Sequence, residues 1–342
     1  MAITLEEAKV GMTDRVVQSV VDQFQRSSIL LDRLTFDNCI SPVTGGSTLG
    51  YSYTMLKTPS TAGVRKLNEE YKPNEAKRSE KTTQAIIMGG SFEVDRVIQS
   101  TSGAIDEIAL QTTQKVKAAS NMFHNLVING AGAQSPGEGF VGGTFDGLHK
   151  LLTGTDTEVE SSVSLATSAD VDKNYNYFMD EMDEFLGLFD GTPGMLMMNN
   201  HMLAKMRAVA RRAGYYERTK DDYGRVVETY NGIPMVDLGK FYNGSKSVDV
   251  VADVAATSEN AGTSSIYAVT FGLDAFHGIS PTGSKVINTY MPNPNEPGAL
   301  KKGEVELIAG VALKNSRKAG VLHGIATSPA TMAAAAAKTA AA

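Results

Sequence analysis

A long charged segment between two strand-like patterns constrains this chain more than any other feature of its sequence. The first pattern alternates in the manner of a half-buried strand, and its apolar residues are Leu49, Tyr51, Tyr53 and Met55. A return strand is predicted over 84–92, where three apolar residues stand together at 86–88. Hairpin loops usually have about 2–5 residues, whereas 57–81 holds 25 residues, 11 of them charged. Because so polar a segment buries too little surface to offset the entropy of ordering, we expect another surface to hold it, which indicates assembly before chemistry.

Composition narrows the class of protein. The 342 residues, 42% hydrophobic and 20% charged, are typical of a globular chain with one elaborate or two compact units. A net charge of −6 argues against a dedicated nucleic-acid binder, although a wall that merely encloses nucleic acid is compatible with it. No apolar run approaches the roughly 18 residues of a membrane span, and no signal peptide is predicted. Cys39 is the only cysteine, which excludes an intramolecular disulfide and fits a reducing compartment.

The N-terminal residues predict a helix followed by an extended run. Residues 4–7 have the Thr-x-x-Glu form of a capping box. An apolar stripe at helical spacing follows, formed by Leu5, Ala8, Met12, Val16, Val20 and Phe24. From Ile29 to Val43 the chain is expected to be extended. Two interpretations stay open: an arm that leaves the body of the subunit, or a first core helix.

A long helix is predicted directly after the second strand pattern. Asp95 is a favourable N-cap, and Gly130 is the residue type that most often follows a helix C-terminus. About 34 residues at ~1.5 Å per residue reach roughly 50 Å. A glycine-dense loop is expected over 130–147, and the glycine pairs at 45–46, 89–90 and 142–143 are expected to act as flexible joints.

The second half of the chain mixes helices and strands without regular alternation. A helix is predicted over Asp172–Phe189, capped from Ser168 or Asp170, and another over His201–Ala213, capped by Asn199. Asn231-Gly232 marks a hairpin, in which Pro234 favours an edge strand. The remaining strand candidates are Met195–Met198, Ser265–Phe271, Lys285–Met291, Val305–Leu313 and Gly320–Ile325. This order favours an α+β fold over a doubly wound sheet, and the alanine-rich end, Ala333–Ala342, is expected to be frayed.

A search for catalytic, cofactor-binding and metal-binding residues yields none. The Gly-x-Gly-x-x-Gly spacing at 137–142 follows a helix instead of a strand, so a flexible connection is favoured over a nucleotide site. The five histidines lack metal-ligand spacing, and the acidic run at 180–184 is interpreted as a solvated helix face. Cys39, with no basic neighbour, is interpreted as a small hydrophobic residue. The sequence therefore predicts no enzyme activity, no metal and no cofactor; an enzyme whose site converges only in the fold is the contrasting hypothesis.

The order of these elements resembles the major capsid proteins of tailed bacteriophages, whose Hong Kong 97-type fold also occurs in encapsulin shells. The resemblance spans about 4–326 and includes the stretches 144–148, 230–235, 265–272 and 305–325. It implies an N-terminal arm, an extended β-hairpin loop, a spine helix, a peripheral domain and an axial domain. The implied divisions are an arm at 1–45, an extended loop at 46–92, a peripheral domain with the spine helix at 93–150, an axial domain at 151–280, return strands of both domains at 281–326 and a flexible tail at 327–342.

The function implied by the resemblance is structural. The chain is expected to assemble, as hexamers and pentamers, into an icosahedral bacteriophage head around double-stranded DNA, with no sequence-specific DNA binding; an encapsulin-type compartment that binds cargo proteins is the alternative. It is expected to form in the host cytoplasm and reside in the virion. A separate scaffolding protein and a portal are the expected partners, a decoration protein stays an open alternative to covalent cross-linking or neither, and no membrane is involved. The charged residues assigned to contacts between subunits are Lys57, Arg65, Lys66, Glu69, Glu70, Lys72, Lys77, Arg78 and Lys81.

Overall fold

The computed structural model describes residues 29–38, 49–58, 60–101, 107–132, 144–214, 217–220, 226–281, 287–293 and 297–330. The helices within these ranges are α1 (Ile29–Arg33), α2 (Arg96–Thr101), α3 (Glu107–Asn129), α4 (Leu148–Leu152), α5 (Ser168–Gly187) and α6 (Asn200–Ala213). The strands are β1 (Phe36–Asp37), β2 (Gly50–Thr58), β3 (Lys77–Gln84), β4 (Ile86–Asp95), β5 (Glu158–Glu160), β6 (Met195–Met198), β7 (Glu217–Lys220), β8 (Val226–Tyr230), β9 (Ile233–Asp237), β10 (Lys240–Tyr242), β11 (Ser247–Asp249), β12 (Gly262–Val269), β13 (Phe276–Ile279), β14 (Ile287–Tyr290), β15 (Leu300–Leu313) and β16 (Ala319–Ser328). None of the helices in the described ranges is long and apolar enough to cross a membrane.

The predicted return strand over 84–92 is wrong, because two different strands share that region. β2 pairs antiparallel with the polar strand β3, from Gly50 opposite Gln84 to Thr58 opposite Lys77. The apolar residues that follow belong to β4, which pairs along its length with β15. Met88, Phe92 and Val94 of β4 are buried, a burial that an isolated two-stranded hairpin cannot supply. The apolar run therefore enters a core sheet, and the hairpin closes with charged residues instead.

A five-stranded sheet, called here the central sheet, is built around β15. β15 pairs with β4 and β14 in its first part and with β13 over Gly310–Leu313, and β1 lies parallel to β13. Its inner face packs on the long helix α3, with Val305, Leu307 and Ala309 buried. The expected flexible joint at Gly89-Gly90 is wrong, because both glycines lie inside β4, opposite Glu306 and Val305.

A seven-stranded sheet carries apolar side chains on both faces. Its strand order is β5-β16-β12-β6-β9-β8-β7. In β6, Met195 and Met197 join a core shared with α3, α4 and the central sheet, whereas Leu196 and Met198 join a second core covered by α5 and α6. This alternation is the consequence of a strand pattern with period two. The all-apolar run Met195–Met198 is thereby explained, since a strand covered on both faces has no solvent side.

Strand β9 lies inside this sheet, so the prediction that Pro234 marks an edge strand is wrong. β9 pairs with β8 on one side and with β6 on the other, where the register begins at Met235. In a two-residue hairpin the closing pair, Tyr230 and Ile233, exchanges hydrogen bonds and the next pair does not. Pro234 stands opposite Thr229 in that next pair, so its missing N–H costs the β8 pairing nothing.

The first described residues pack into the core. The extended run expected from Ile29 is wrong for Ile29–Arg33, which form helix α1. Leu30 and Leu34 are buried in the first core, and Phe36 lies 6.2 Å from Phe123 between ring centroids. A Cβ atom added at Gly278 would lie 2.5 Å from the Phe36 ring, so only glycine admits this packing. The helix predicted from residue 4, and Cys39, lie outside the described residues.

The helix ends match several sequence signals. The backbone N–H of Val97 donates to Asp95 Oδ1 at 2.7 Å, which confirms the predicted cap. One continuous helix over 95–129 was expected; the structure describes α2 and α3, and 102–106 lies outside the described residues, as do the glycine spacing at 137–142 and the tail after 330. The cap of α5 is Thr167, with Asp170 completing a capping box, so the expected Ser168 or Asp170 cap is wrong by position. Asn199 caps α6, and Gly214 ends it with φ 71°, as predicted.

Candidate intersubunit contact surface

The hairpin of β2 and β3, together with residues 60–76 between them, projects from the central sheet. We call residues 50–84 the extended hairpin and 60–76 its tip. A single residue, Ala85, joins β3 to β4. Its N–H donates to the Leu49 carbonyl at 2.8 Å, and Thr83 Oγ1 donates to the Val311 carbonyl at 2.9 Å. The first bond closes the base of the hairpin, and the second ties the end of β3 to β15 of the central sheet.

Aromatic side chains fill the junction between the extended hairpin and the central sheet. Tyr51 and Tyr53 stack with centroids 5.7 Å apart, and Tyr51 meets His277 edge to face at 6.1 Å. Lys314 Nζ lies 5.8 Å from the Tyr51 ring centroid, within the range of a cation–π contact. Burial raises the pKa of Tyr53, and the Leu313 backbone opposes that shift. The junction forms a small apolar cluster, separate from both large cores, that consists of Ala85 and Ile279 with Leu49, Tyr51 and Ile308 around them.

Beyond this junction the tip is exposed to solvent along its whole length. Its large apolar residues are almost free of contact: Val64 is 103% exposed, Leu67 91% and Tyr71 64%. The tip is held mainly by its own contacts, among them the Arg65 guanidinium, which lies 5.5 Å from the Tyr71 ring centroid and donates to the Glu69 carbonyl. Asn74 also donates to Thr61 across the tip. Exposed apolar side chains at the end of a projecting hairpin are typical of a surface that another molecule covers.

The structure gathers the charged residues predicted for intersubunit contacts on this one hairpin. Five lie in the tip and three, Lys77, Arg78 and Lys81, in β3; the side chain of Lys57 lies outside the described part. All of the described ones are exposed except Lys81, which is half-buried. Within the described ranges none of these eight forms an ion pair with its own chain. Their role in contacts between subunits stays a prediction.

Sequence reasoning assigned the contact surface to charges and omitted the apolar side chains of the tip. Val64, Leu67 and Tyr71 are spaced by three and four residues within a charged segment. Such a pattern is normally interpreted as the buried side of a short helix. Here the tip is irregular, so the three side chains have no core to enter. The signal available in the sequence was the presence of three apolar residues in a charged segment that offers them no core.

A cleft of about 350 Å³ lies between α3 and the β10–β11 hairpin. Its floor is apolar, with Ala118, Met122 and Phe241, and Lys115 and Lys117 stand on the α3 side. No catalytic arrangement accompanies it among the described lining residues. In the described part of the chain, no three histidine, cysteine or carboxylate side chains come together as a metal site would require.

The acidic run on α5 holds that helix to the sheet in addition to meeting solvent. Glu181 accepts from Ser161 Oγ at 2.6 Å and from the Ser162 N–H at 3.2 Å. Asp183 accepts from the Tyr230 hydroxyl at 2.8 Å. The predicted solvated face is right in exposure for Asp180, Asp183 and Glu184 and wrong for Glu181, which is half-buried.

The surroundings of two buried histidines, His124 and His277, lower their pKa values. Burial lowers the pKa of His124, on α3, to about 4, opposed by an interaction with the Leu238 backbone. Burial and then the nearby Lys314 lower the pKa of His277. His201 is half-buried and its Nδ1 lies 3.0 Å from Asp253 Oδ2, a carboxylate that also accepts from the cap residue Asn199. Asp253 thus holds both His201 and Asn199 at the start of α6.

Solved structures supply the comparison with known proteins, since no protein-family model and no curated protein matches the chain. The holo-SrpI encapsulin complex from Synechococcus elongatus PCC 7942 is similar with a TM-score of 0.58 at 14% identity, over 96% of this chain and 98% of that one. A structure of Mycobacterium phage Bobi is similar with a TM-score of 0.56 at 12% identity, over 96% and 100%. The capsid of a native GTA particle gives 0.54 at 12% identity, over 92% and 94%.

These likenesses extend over nearly the whole of each chain. At such low identity they establish the fold and leave the function to be argued. The chain has the Hong Kong 97-type capsid fold, and the predicted α+β class is confirmed.

Proposed function

We propose that this chain is the structural subunit of a closed protein shell, and specifically the major capsid protein of a tailed bacteriophage head. The fold supports this proposal, because the similar structures are capsids and an encapsulin shell. The observation that carries it is the extended hairpin, whose exposed tip packs on no other element of the described part of the chain. A second copy of the chain is the partner that a shell supplies.

The domain assignment follows the two sheets. The seven-stranded sheet with α5 and α6 would form the axial domain, around the symmetry axes. The central sheet with α3 as the spine helix would form the peripheral domain. β15 belongs to the central sheet and β16 to the seven-stranded sheet, which fits the expected return strands at 281–326. A subunit with two such bodies and one projecting hairpin is suited to tile both pentamers and hexamers.

The charges of the extended hairpin suit many weak contacts instead of a few strong ones. Residues 57–81 carry seven basic and four acidic side chains, and a single exposed ion pair contributes only about 0–1 kcal/mol. Weak repeated contacts allow wrongly placed subunits to dissociate during assembly. We infer that the apolar tip residues supply most of the buried area and that the charges set the register.

The proposed shell encloses double-stranded DNA and has partner proteins. The net charge of −6 suits a wall past which double-stranded DNA moves without strong phosphate contacts. A scaffolding protein, a portal and a decoration protein would complete such a head, assembled in the host cytoplasm. The encapsulin likeness favours a second candidate, a cellular compartment whose lumen holds cargo proteins.

Electron microscopy of the expressed protein, alone and with the proteins encoded beside it, tests the shell. Closed particles are expected from the wild type, and a deletion of Ala62–Ala76 should give a folded subunit that forms none. Normal particles from the deletion variant would contradict the role of the tip. A wild type that stays monomeric in every combination would contradict the shell itself.

Point variants give a matched control for the deletion. Val64→Ser, Leu67→Ser and Tyr71→Ser remove the apolar side chains of the tip. Tyr177→Ser with Val226→Ser remove two side chains elsewhere on the subunit whose exposures, 66% and 61%, match that of Tyr71 at 64%. Only the tip variants should lower the yield of particles. Purified particles then separate the two candidates: nuclease-protected double-stranded DNA supports the phage head, and a co-purifying protein in its place supports the compartment.

A further inference from the structure

His277 is a buried titratable side chain at the place where the extended hairpin meets the central sheet. It is fully buried in β13, and within the described ranges neither ring nitrogen has a hydrogen-bond partner at good geometry. The backbone of Ala275 is close enough to favour its charged form slightly. A buried imidazole without a partner is costly to protonate, because the charge cannot be solvated in place.

The charged groups around His277 come from each element packed on it. Lys314, at the end of β15, opposes a positive charge on the ring. Asp37 of β1 and Asp274 of the turn before β13 favour one, more weakly. From the hairpin side the ring meets Tyr51, which lies between His277 and Lys314. Burial and Lys314 outweigh the two carboxylates, so the closed junction favours neutral His277.

Tyr51 is also the part of this environment that is easiest to displace. On its other sides His277 is held within β13, whose neighbours are β15, opposite Ala312, and β1. The Tyr51 side belongs to the small junction cluster, in which only Ala85 and Ile279 are fully buried. Opening the junction breaks a limited set of contacts, among them the Thr83–Val311 hydrogen bond and the packing of Tyr53, and it admits water to the imidazole.

We propose that the packing of Tyr51 against His277 acts as a proton-sensitive latch. Protonation of His277 releases the base of the extended hairpin from the central sheet, while both large cores stay folded. The latch is a property of the subunit, so it exists whether or not the chain forms the shell proposed above. In a shell it would let acidification change the angle of the hairpin.

The direction of the effect follows from linkage. The closed junction holds the pKa of His277 below the value of 6.5 that the open, hydrated ring would have. The closed form is therefore favoured at neutral pH, and its advantage is lost as the pH falls below about 6.5 towards the lower pKa of the closed state. One proton changes the closed-to-open ratio by at most about tenfold per pH unit.

Hydrogen exchange of the subunit between pH 7.5 and 5, corrected for intrinsic rates, tests the latch. Protection in 49–55 and 77–85 should fall by up to about tenfold per pH unit below 6.5, while β12 and α6 lose protection only as the free energy of global unfolding falls. His277→Gln should remove this pH dependence, and the control His201→Gln should keep it. An unchanged pH dependence in His277→Gln, or flat protection in the wild type, would overturn the proposal.

A second measurement covers the case in which His277→Gln does not fold. The exchange rate of the imidazole C2 proton reports the pKa of His277 in the wild-type subunit. A value clearly below 6.5 supports the latch, and a value at or above 6.5 overturns it. Because both measurements use unassembled subunit, they are independent of whether particles form.

Discussion

The extended hairpin and the seven-stranded sheet are opposite solutions to the same problem of making a β-structure stable. The sheet buries apolar side chains on both faces, against α5 and α6 on one side and against α3 and the central sheet on the other. The hairpin has two strands, a small cluster at its base and an exposed tip. Two-stranded hairpins are at best marginally stable alone in water. One region therefore carries its own stability, and the other depends on what it contacts.

Under the proposed function, this difference would separate the residues that fold the subunit from those that join it to others. Substitutions in the sheet should lower the free energy of unfolding of the isolated subunit. Substitutions in the tip should leave that quantity unchanged and alter assembly alone. Three experiments test the separation, in order of expected effect.

The largest contrast is between two aromatic truncations. Phe178→Ala removes a fully buried ring from the α5 core and should lower the free energy of unfolding by about 3–5 kcal/mol. Tyr71→Ala in the tip should change it by less than about 0.5 kcal/mol. Urea unfolding of the unassembled subunit measures both. A tip variant as destabilised as the core variant would show that the tip packs on its own chain.

Acid should destabilise the body of the subunit through His124. Its pKa of about 4 in the folded chain, against 6.5 unfolded, means that the unfolded state binds more protons as the pH falls from 6.5 to 4. The expected loss over that interval is about 3 kcal/mol. Urea unfolding at pH 7 and 5 should show about 2 kcal/mol of this loss, with His323→Gln, a half-exposed histidine, as the control. His124→Gln should flatten the dependence; equal slopes in both variants would rule out His124 as the cause.

The smallest expected difference in stability is between two Gly→Ala variants. In Gly278→Ala the new Cβ would lie 2.5 Å from the Phe36 ring, and overpacking of this kind costs about 1–3 kcal/mol. Gly63→Ala in the tip meets nothing within 4 Å and should be neutral or slightly stabilising, because alanine restricts the unfolded chain. Thermal unfolding of both variants gives the comparison. An unaffected melting temperature in Gly278→Ala would indicate that α1 and β1 do not depend on this packing.

Local signals predicted the elements but not their partners. Asn199, Gly214 and Asn231-Gly232 determine helix ends and a turn within a few residues, and each was predicted correctly. The partner of β2 was not, because pairing depends on burial elsewhere: Met88 and Phe92 are apolar enough to belong to a core, and β15, some 200 residues later in the sequence, supplies it. The edge-strand prediction from Pro234 was wrong for a related reason. The position of Pro234 in the hairpin register decides whether its missing backbone N–H is needed for strand pairing.

The location of the exposed segment was predicted, because the excess length and charge of 57–81 are visible in the sequence. Its role as a contact surface stays a prediction. The exposure of Val64, Leu67 and Tyr71 was not predicted, since exposure of an apolar side chain is a property of the fold. His277 was equally hidden, because burial without a partner depends on the packing of β2 on β13.

The one-residue junction at Ala85 has a geometric consequence. β3 and β4 are nearly continuous, so a rotation at Ala85 is transmitted along a rigid strand. Eight residues of β3 at about 3.3 Å each give a lever of roughly 26 Å. A rotation of roughly 10°, smaller than the ordinary twist between neighbouring strands, would displace its far end by about 5 Å. An angular adjustment that leaves the two cores intact is thus amplified at the tip into a distance of molecular size, the kind of tolerance that lets identical subunits meet at unequal curvatures.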